Sequence, residues 1–198
     1  MRGSELDGVA AVVTSRLVLV PAGLDHLDEM AALHADERVW RHLPSGRHTD
    51  REQTREYLLE RERQWQRDGL GYWVARLRQR VGDLAAGQTA GIGGCAIPAG
   101  STWWNLYYRL KPEVHGHRLA AELCAMAIKA ARRVDSTQPV IAFLLEHNRA
   151  SKATAERAGL TLAWRGPDAG NPDPQAVRLI YADRALDDTR LQALKRIT

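Results

Sequence analysis

The segment from Arg109 to Glu122 constrains the fold most, because it joins an extended run to a helical one through a short glycine-containing turn. The extended residues end at Pro112, and an apolar helical pattern begins near Gly116. The first turn of a helix has backbone N–H groups without helical partners and carries partial positive charge, so it can hold a phosphate. The segment therefore predicts either an anion site or an ordinary strand–helix connection with exposed polar residues.

The side chains around this turn favour a phosphorylated ligand over a metal. His115, His117 and Arg118 can add positive charge on the same side. No nearby carboxylate or cysteine completes a ligand set with the two histidines, so no metal is predicted. The segment has neither a G-x-G-x-x-G fingerprint nor a Walker A loop.

Hydrophobic periodicity predicts a mixed α/β sheet with antiparallel hairpins and one or two crossovers. The predicted strands are Arg16–Val20, Tyr72–Leu77, Ala90–Ile97, Thr102–Lys111, Val140–Leu145, Leu162–Arg165 and Val177–Ala182. The predicted helices are residues 24–34, 50–67, Gly116–Val134 and Ala150–Ala158, with modest helical character in Leu186–Thr198.

Length and composition favour a globular enzyme or binding protein. The chain has 198 residues, and we expect residues 14–198 to form one domain behind a flexible arm, residues 1–13. Its net charge of +4 comes mainly from dispersed arginines, which disfavours nucleic acid as a partner. No run approaches the ~20 apolar residues that span a bilayer, and the N-terminus lacks the form of a signal peptide. Cys95 and Cys124 are expected to be buried free thiols of a cytoplasmic protein.

Four short motifs occur in order along the chain: Thr14–Leu19, Tyr108–Glu113, His115–Glu122 and Asn148–Leu160. They resemble the opening strand, the fourth strand, the W-G-x-G-x-A-T-E pyrophosphate turn and the N-x-x-S…G-F element of the GNAT superfamily of N-acetyltransferases. The resemblance is greatest to the RimJ/RimL-like branch and covers nearly the whole chain. Each motif is weak alone, and their order makes the signal strong.

The resemblance implies a mostly antiparallel central sheet with a V-shaped splay between its fourth and fifth strands. It implies acetyl-CoA as co-substrate, with the pantetheine arm in the splay and the diphosphate on the turn. The implied reaction is direct attack of a primary amine on the thioester in a ternary complex. The implied cofactor-binding residues are Tyr108, Leu110, His115, Gly116, His117, Arg118, Leu119, Ala120, Ala121, Asn148 and Ser151.

Two residues are candidates for proton transfer in this reaction. Ser151 is the candidate acid for the leaving thiolate, although a serine here is equally suited to cap the following helix. Glu146, at the end of the fifth strand, is the candidate base, with His147 beside it. Both are also ordinary residues for the exposed end of a strand.

The acceptor pocket is expected on one face of the fourth strand. Strand alternation puts Asn105, Tyr107 and Arg109 on that face. We expect Asn105 and Tyr107 to contact the acceptor, with Tyr107 also a candidate for catalysis. His42, on the loop between the first two helices, is expected to join the wall. The expected acceptor is a small-molecule amine or a protein N-terminus, and the resemblance is compatible with a homodimer.

The chain departs from the family pattern at three positions. Arg118 replaces the second glycine of the turn, and we expect a helical φ to make arginine tolerable there. Asn105 replaces an acidic residue that is frequent on the fourth strand, and Ala155 replaces a tyrosine that many members carry as the acid. These departures keep a second hypothesis open, a non-catalytic acyl-CoA-binding sensor.

Overall fold

The computed structural model describes residues 11–197, in which eight strands form one sheet. The strands are β1 Val12–Val13, β2 Leu17–Pro21, β3 Tyr72–Leu77, β4 Thr89–Ala96, β5 Trp104–Leu110, β6 Val140–Leu145, β7 Thr161–Pro167 and β8 Val177–Ala182. The helices are α1 Leu27–Ala35, α2 Arg51–Asp68, α3 Leu119–Val134, α4 Arg149–Arg157 and α5 Asp188–Lys195. Short 3₁₀ turns occur at Leu24–His26, Pro44–Gly46 and Pro112–Val114.

The sheet is antiparallel except at its centre. Its strand order is β1-β2-β3-β4-β5-β6-β8-β7, and the parallel pair is β5 with β6. These two strands are joined only where Trp104 meets Val140 and Asn105 meets Ile141. Beyond those positions both strands continue without pairing to each other, so they separate into a V. The predicted mixed sheet and its splay are confirmed.

Helices cover both faces of the sheet. α3 packs on one face, here called the α3 face, through residues such as Leu123, and α4 lies beside it. α1 and α2 pack on the opposite face, the α1–α2 face, through Met30 and Leu58. The side chains of β5 alternate between the two cores, with Leu106 on the α3 face and Tyr107 on the α1–α2 face.

The start of α3 differs from the predicted one. The sequence pattern indicates a start near Gly116, but the helix begins at Leu119. Gly116 has a φ of 82° and Arg118 a φ of 60°, and this left-handed backbone interrupts a right-handed helix. The expected helical φ of Arg118 is therefore wrong. Among the described residues other than glycine, only Arg118 has a positive φ, which costs an L-residue about 1–2 kcal/mol.

The N-terminal edge of the sheet begins earlier than expected. Val12 and Val13 form β1 and pair with Leu19 and Val18 of β2. The end of the expected arm therefore belongs to the sheet, and residues 1–10 lie outside the described residues.

Two further expectations concern the interior and the membrane. Cys95 and Cys124 are both buried and free, as predicted. None of the helices within residues 11–197 is long and apolar enough to cross a bilayer.

Candidate functional site

A cleft of about 530 Å³ lies between the turn before α3, the end of β5 and the first turns of α4. The start of α3 and the loop after α1 also line it. The predicted cofactor-binding residues that line the cleft are Tyr108, Leu110, His115, Gly116, Arg118, Leu119, Ala120, Asn148 and Ser151. His117 and Ala121 belong to the same segment but not to the lining. The fold thus brings together stretches that are far apart in sequence.

The turn before α3 presents a run of free backbone amides. Hydrogen bonding along α3 starts at Glu122, whose amide donates to the Arg118 carbonyl at 3.3 Å. Within the described chain, the amides of residues 116–121 donate to no backbone carbonyl. No atom lies within 4 Å of the position that a β-carbon on Gly116 would occupy, so the turn is open there. These amides lie at the positive end of the helix dipole, which stabilises an anion.

The side chains of the cleft add positive charge to this turn. Arg38, Arg109, Arg118 and Arg157 line it, and no Asp or Glu of residues 11–197 does. Arg38 is already matched, because it pairs with Asp36 at 2.7 Å and with Glu113 at 2.8 Å. Free amides together with arginines are suited to a ligand with several phosphates.

The carboxylate of Glu122 ties the start of α3 to the N-terminal strands. It accepts hydrogen bonds from the Thr14 hydroxyl at 2.6 Å and the Arg16 amide at 2.8 Å, and it pairs with the Arg16 guanidinium at 2.8 Å. Arg16 also donates to the His117 carbonyl at 2.7 Å. Burial alone would raise the pKa of Glu122, but these hydrogen bonds hold it below its usual value. The negative charge nearest the turn is therefore neutralised within the protein.

A second cavity, of about 120 Å³, lies in the splay between β5 and β6. We call it the splay cavity. It shares His42, Tyr108, Arg109, Asn148 and Ser151 with the cleft, so the two spaces adjoin. The rest of its lining is mostly apolar: Leu43, Leu106, Tyr107, Cys124, Ala142, Phe143, Leu144, Leu145 and Ala155. A path therefore leads from a basic surface cleft into the sheet.

Two hydroxyl groups meet where the cleft joins the splay cavity. The Tyr108 hydroxyl donates to Ser151 Oγ at 3.1 Å. The Asn148 side chain, rather than Ser151, supplies the capping oxygen of α4, since it accepts from the Ser151 amide at 3.1 Å. Burial raises the pKa of Tyr108, and its hydrogen bond to Ser151 opposes that rise. The Ser151 hydroxyl is thus not used as a cap and has a neutral phenol as its donor.

Aromatic rings from β5 and its neighbours pack together on the α1–α2 face of β5. Asn105 donates to the Tyr72 hydroxyl at 3.1 Å, so its amide is engaged inside the protein. Tyr107 stacks on Tyr72, with 5.1 Å between the ring centroids. Arg109 lies over the Trp40 ring, 4.1 Å from its centroid. The predicted alternation of these residues along the strand is confirmed, and Tyr107 and Arg109 also line the splay cavity.

His42 reaches this face from the loop after α1. Its Nε2 lies 2.5 Å from Arg109 Nη1. Because arginine can only donate, Nε2 accepts, and the neutral imidazole carries its proton on Nδ1. Burial lowers the pKa of His42 to about 4, and Arg109 and His147 act in the same direction. His42 is therefore uncharged at neutral pH and is a weak base.

A buried histidine of α1, His34, packs against this loop and is not among the predicted site residues. His34 stacks on His48 with 4.3 Å between the ring centroids and also packs against Tyr57. Within residues 11–197 neither ring nitrogen of His34 has a hydrogen-bond partner. Burial lowers its pKa to about 3, with His48 and Arg109 adding to the effect. The described residues nevertheless contain no group of three side chains that could hold a metal ion.

Glu146 lies outside both cavities. Its carboxylate accepts two hydrogen bonds from Arg165, at 2.6 and 2.9 Å, and its side chain is 39% exposed. The bond to Arg165 lowers the pKa of Glu146. The structure thus does not bring this candidate base to Ser151 and Tyr107, because the ion pair directs it toward β7.

A third cavity, of about 360 Å³, adjoins the splay cavity on the side of the β7–β8 loop. The two share Leu43 and residues 143–145. Asp168 and Arg178 line this third space and form an ion pair with each other, so their charges cancel. This third cavity leaves space, beside the splay cavity, for part of a ligand that reaches the splay from the β7–β8 loop.

Comparison with known proteins assigns a family. A search of curated proteins finds no match. Among solved structures, an acetyltransferase from Agrobacterium tumefaciens is 23% identical, with a TM-score of 0.67, and the match covers 92% of this chain and 98% of that one. The RimL ribosomal L7/L12 alpha-N-protein acetyltransferase in complex with coenzyme A is 20% identical, with a TM-score of 0.71 over 90% of this chain and 99% of its own.

A Salmonella typhimurium acetyltransferase described as modifying the N-terminal serine of ribosomal protein L7/L12 has the same fold. It is 19% identical, with a TM-score of 0.70 over 89% of this chain and 98% of that one. The sequence profile of the acetyltransferase (GNAT) domain matches residues 16–161, well over half of the chain. The chain therefore belongs to the GNAT acetyltransferase family, as its four motifs predicted.

Proposed function

We propose that the protein transfers an acetyl group from acetyl-CoA to a primary amine. The observation that carries this proposal is the continuity between the basic cleft and the splay cavity, with the Tyr108–Ser151 pair at their junction. A phosphate-type site that opens onto two hydroxyl groups suits a long cofactor whose reactive end lies far from its phosphates. The structure of RimL with coenzyme A supports the same choice of ligand.

The residues of the cleft fit coenzyme A. The free amides of residues 116–121 would hold the diphosphate, with Arg118 and Arg157 supplying positive charge around the phosphates. The unpaired end of β5 and the apolar splay walls would accept the pantetheine arm. When bound, acetyl-CoA supplies an already activated thioester, so positioning can provide much of the rate.

Ser151 is the proposed proton donor. Its Oγ lies at the junction of the cavities and accepts from Tyr108, so a proton given up by Ser151 can be replaced from the phenol. Many family members carry a tyrosine at the position that Ala155 occupies in this chain. Ala155 and Tyr108 both line the splay cavity. The Tyr108 phenol thus comes from β5 instead of α4.

The acceptor amine is proposed to enter from the α1–α2 face and to bind as the neutral amine. Glu146 is held by Arg165, and His42 is too weak a base to remove an ammonium proton at neutral pH. The amine therefore loses its proton to solvent before or during binding. We expect log kcat/KM to rise with pH until it levels off near the pKa of the acceptor, and to move when an amine of different pKa is used. A plateau at the same pH for every amine would instead indicate a protein base.

A non-catalytic acyl-CoA sensor is the second candidate function. It is favoured by one observation, the lack of any carboxylate lining the splay cavity in the described chain. Release of free thiol from acetyl-CoA, measured across a panel of small amines and peptide N-termini, separates the two candidates. Micromolar binding of acetyl-CoA by calorimetry without thiol release above the amine-free rate would support the sensor and contradict the proposed transfer.

A further inference from the structure

Within residues 11–197, the lining of the splay cavity contains a cationic side chain but no carboxylate. His42 and Arg109 line it, and no Asp or Glu of the described residues does. The nearest acidic candidates are occupied, because Glu146 pairs with Arg165 and Asp168 pairs with Arg178. The cavity therefore lacks the negative charge that would attract an ammonium ion.

Arg109 is the charged group of this cavity, and it has no counter-ion. Its described contacts are the bond to His42, a hydrogen bond to the Tyr107 side chain, and the rings of Trp40 and Tyr107, at 4.1 and 5.4 Å from the ring centroids. No Asp or Glu within residues 11–197 pairs with it, and its buried Nε has no hydrogen-bond partner there. Aromatic rings stabilise a guanidinium but do not neutralise it. A half-buried cation of this kind becomes favourable when an anion binds.

We infer that the acceptor of the proposed transfer is an amine that also carries a carboxylate, and that Arg109 binds this carboxylate. This inference rests on the proposed function and specifies its substrate class. A planar guanidinium and a carboxylate match through paired hydrogen bonds. The bond to His42 fixes the orientation of the guanidinium. The same cavity contains Ser151, so an amine bound through its carboxylate has its amino group in the space next to the proposed proton donor.

The inference separates classes of amine that the family resemblance leaves open. Polyamines and aminoglycosides carry several positive charges and would be repelled by Arg109. The required carboxylate has two sources: the α-carboxylate of a free amino acid, or an acidic side chain at the N-terminus of a peptide. Both present an amine and a carboxylate a few bonds apart.

Matched substrate pairs test this inference on the intact protein. We expect kcat/KM to be at least about tenfold higher for the preferred free amino acids than for their amides, since a hydrogen-bonded charge pair contributes about 1.5–3 kcal/mol. The amide has the less basic amino group, so protonation alone would give the opposite order. Peptide amides that begin with Asp or Asn separate the two sources. Calorimetric titration of the same amines in the presence of coenzyme A measures binding without turnover.

Variants show whether Arg109 makes the contact. We expect Arg109→Gln to remove the preference for the carboxylate and Arg109→Glu to reverse it, both in kcat/KM and in the titration. The matched control is Arg61→Gln, because Arg61 also lies over aromatic rings, at 4.6 and 4.8 Å, but lines neither the cleft nor the splay cavity. Equal or faster transfer to the amides or to spermidine, or an equal loss in Arg61→Gln, would overturn the inference. Absence of any transfer, with coenzyme A still bound, would contradict the proposed function instead.

Discussion

On the α3 face, the wall of the cleft comes from one continuous turn, the start of α3 and the first turns of α4. On the α1–α2 face, the wall comes from the loop after α1 and from side chains of β5, with aromatic rings such as Trp40 and Tyr72 packed against them. The first wall offers backbone amides whose direction is set by the helix, and its arginines only add positive charge to that of the amides. The second wall offers rings and guanidinium groups whose positions depend on packing. A ligand that is the same for a whole family suits the first kind of wall, and a ligand that varies suits the second.

The comparison predicts that a change at the turn affects acetyl-CoA binding alone. We expect Gly116→Glu to weaken acetyl-CoA binding by about 100-fold or more, because like charges about 4 Å apart near a protein surface repel by about 4 kcal/mol. Calorimetry measures the affinity. The matched control is Gly87→Glu, since Gly87 has nearly the same φ, 81° against 82°, and equally open surroundings. Equal affinity losses in both variants would mean that backbone strain, rather than the turn, is responsible.

Where the cleft joins the splay cavity, we expect Ser151→Ala to lower kcat by about 10²-fold while the KM for acetyl-CoA changes little. Tyr108→Phe should have a smaller effect of the same kind. Because the two hydroxyls are proposed to act in series, the double variant should be no slower than Ser151→Ala. Steady-state kinetics with varied acetyl-CoA provide the measurement. Multiplicative losses in the double variant would show that the two hydroxyls act independently, and an effect confined to KM would assign the pair to binding.

On the α1–α2 face, we expect His34→Leu to change how stability depends on pH. The folded pKa of His34 is about 3 and its ordinary value is 6.5, so below pH 6.5 the unfolded chain takes up a proton that the folded protein does not. The resulting loss in the free energy of unfolding reaches about 1.4 kcal/mol at pH 5.5 and is absent above pH 7.5. His34→Leu should remove it, as measured by urea unfolding at both pH values. His117→Leu, an exposed histidine on the turn, is the control, and an unchanged slope in His34→Leu would contradict the assignment.

The smallest expected effect separates strain from binding at Arg118. Arg118→Gly relieves about 1–2 kcal/mol of left-handed strain but makes the unfolded chain more flexible, so we expect a net gain of about 0.5–1 kcal/mol in the free energy of unfolding. Acetyl-CoA affinity should fall threefold to tenfold, because a charge near the phosphates is lost. Unfolding curves and calorimetry on the same sample test both. Unchanged affinity would show that the Arg118 side chain does not contact the cofactor.

The sequence predicts the α3 face well because its features are local. The strand, the turn and the helix that carry Gly116 are adjacent along the chain, and the positions of the strands along the chain follow from hydrophobic periodicity. Two local features could not be predicted: the left-handed φ of Arg118, which only the turn geometry requires, and the start of α3, which that φ delays to Leu119.

The α1–α2 face is less predictable because its contacts are distant in sequence. Neither residue type nor spacing shows that His42 accepts from Arg109, 67 residues away. Glu146 ends a strand that borders the splay, but its partner, Arg165, is on another strand. His34 lies four residues after the buried Met30 in α1, a helical spacing that indicated burial in the sequence.

The bonds of Glu122 to Thr14 and Arg16 span 108 and 106 residues. Every residue of the cofactor turn lies between Arg109 and Glu122, yet the turn is held in place by the opposite end of the domain. We therefore expect acetyl-CoA affinity to depend on whether the N-terminal strands have docked. A chain trimmed just past residue 16 would keep every cofactor-lining side chain and still bind poorly, so a purification tag or a proteolytic nick at that end is a variable to control in any assay.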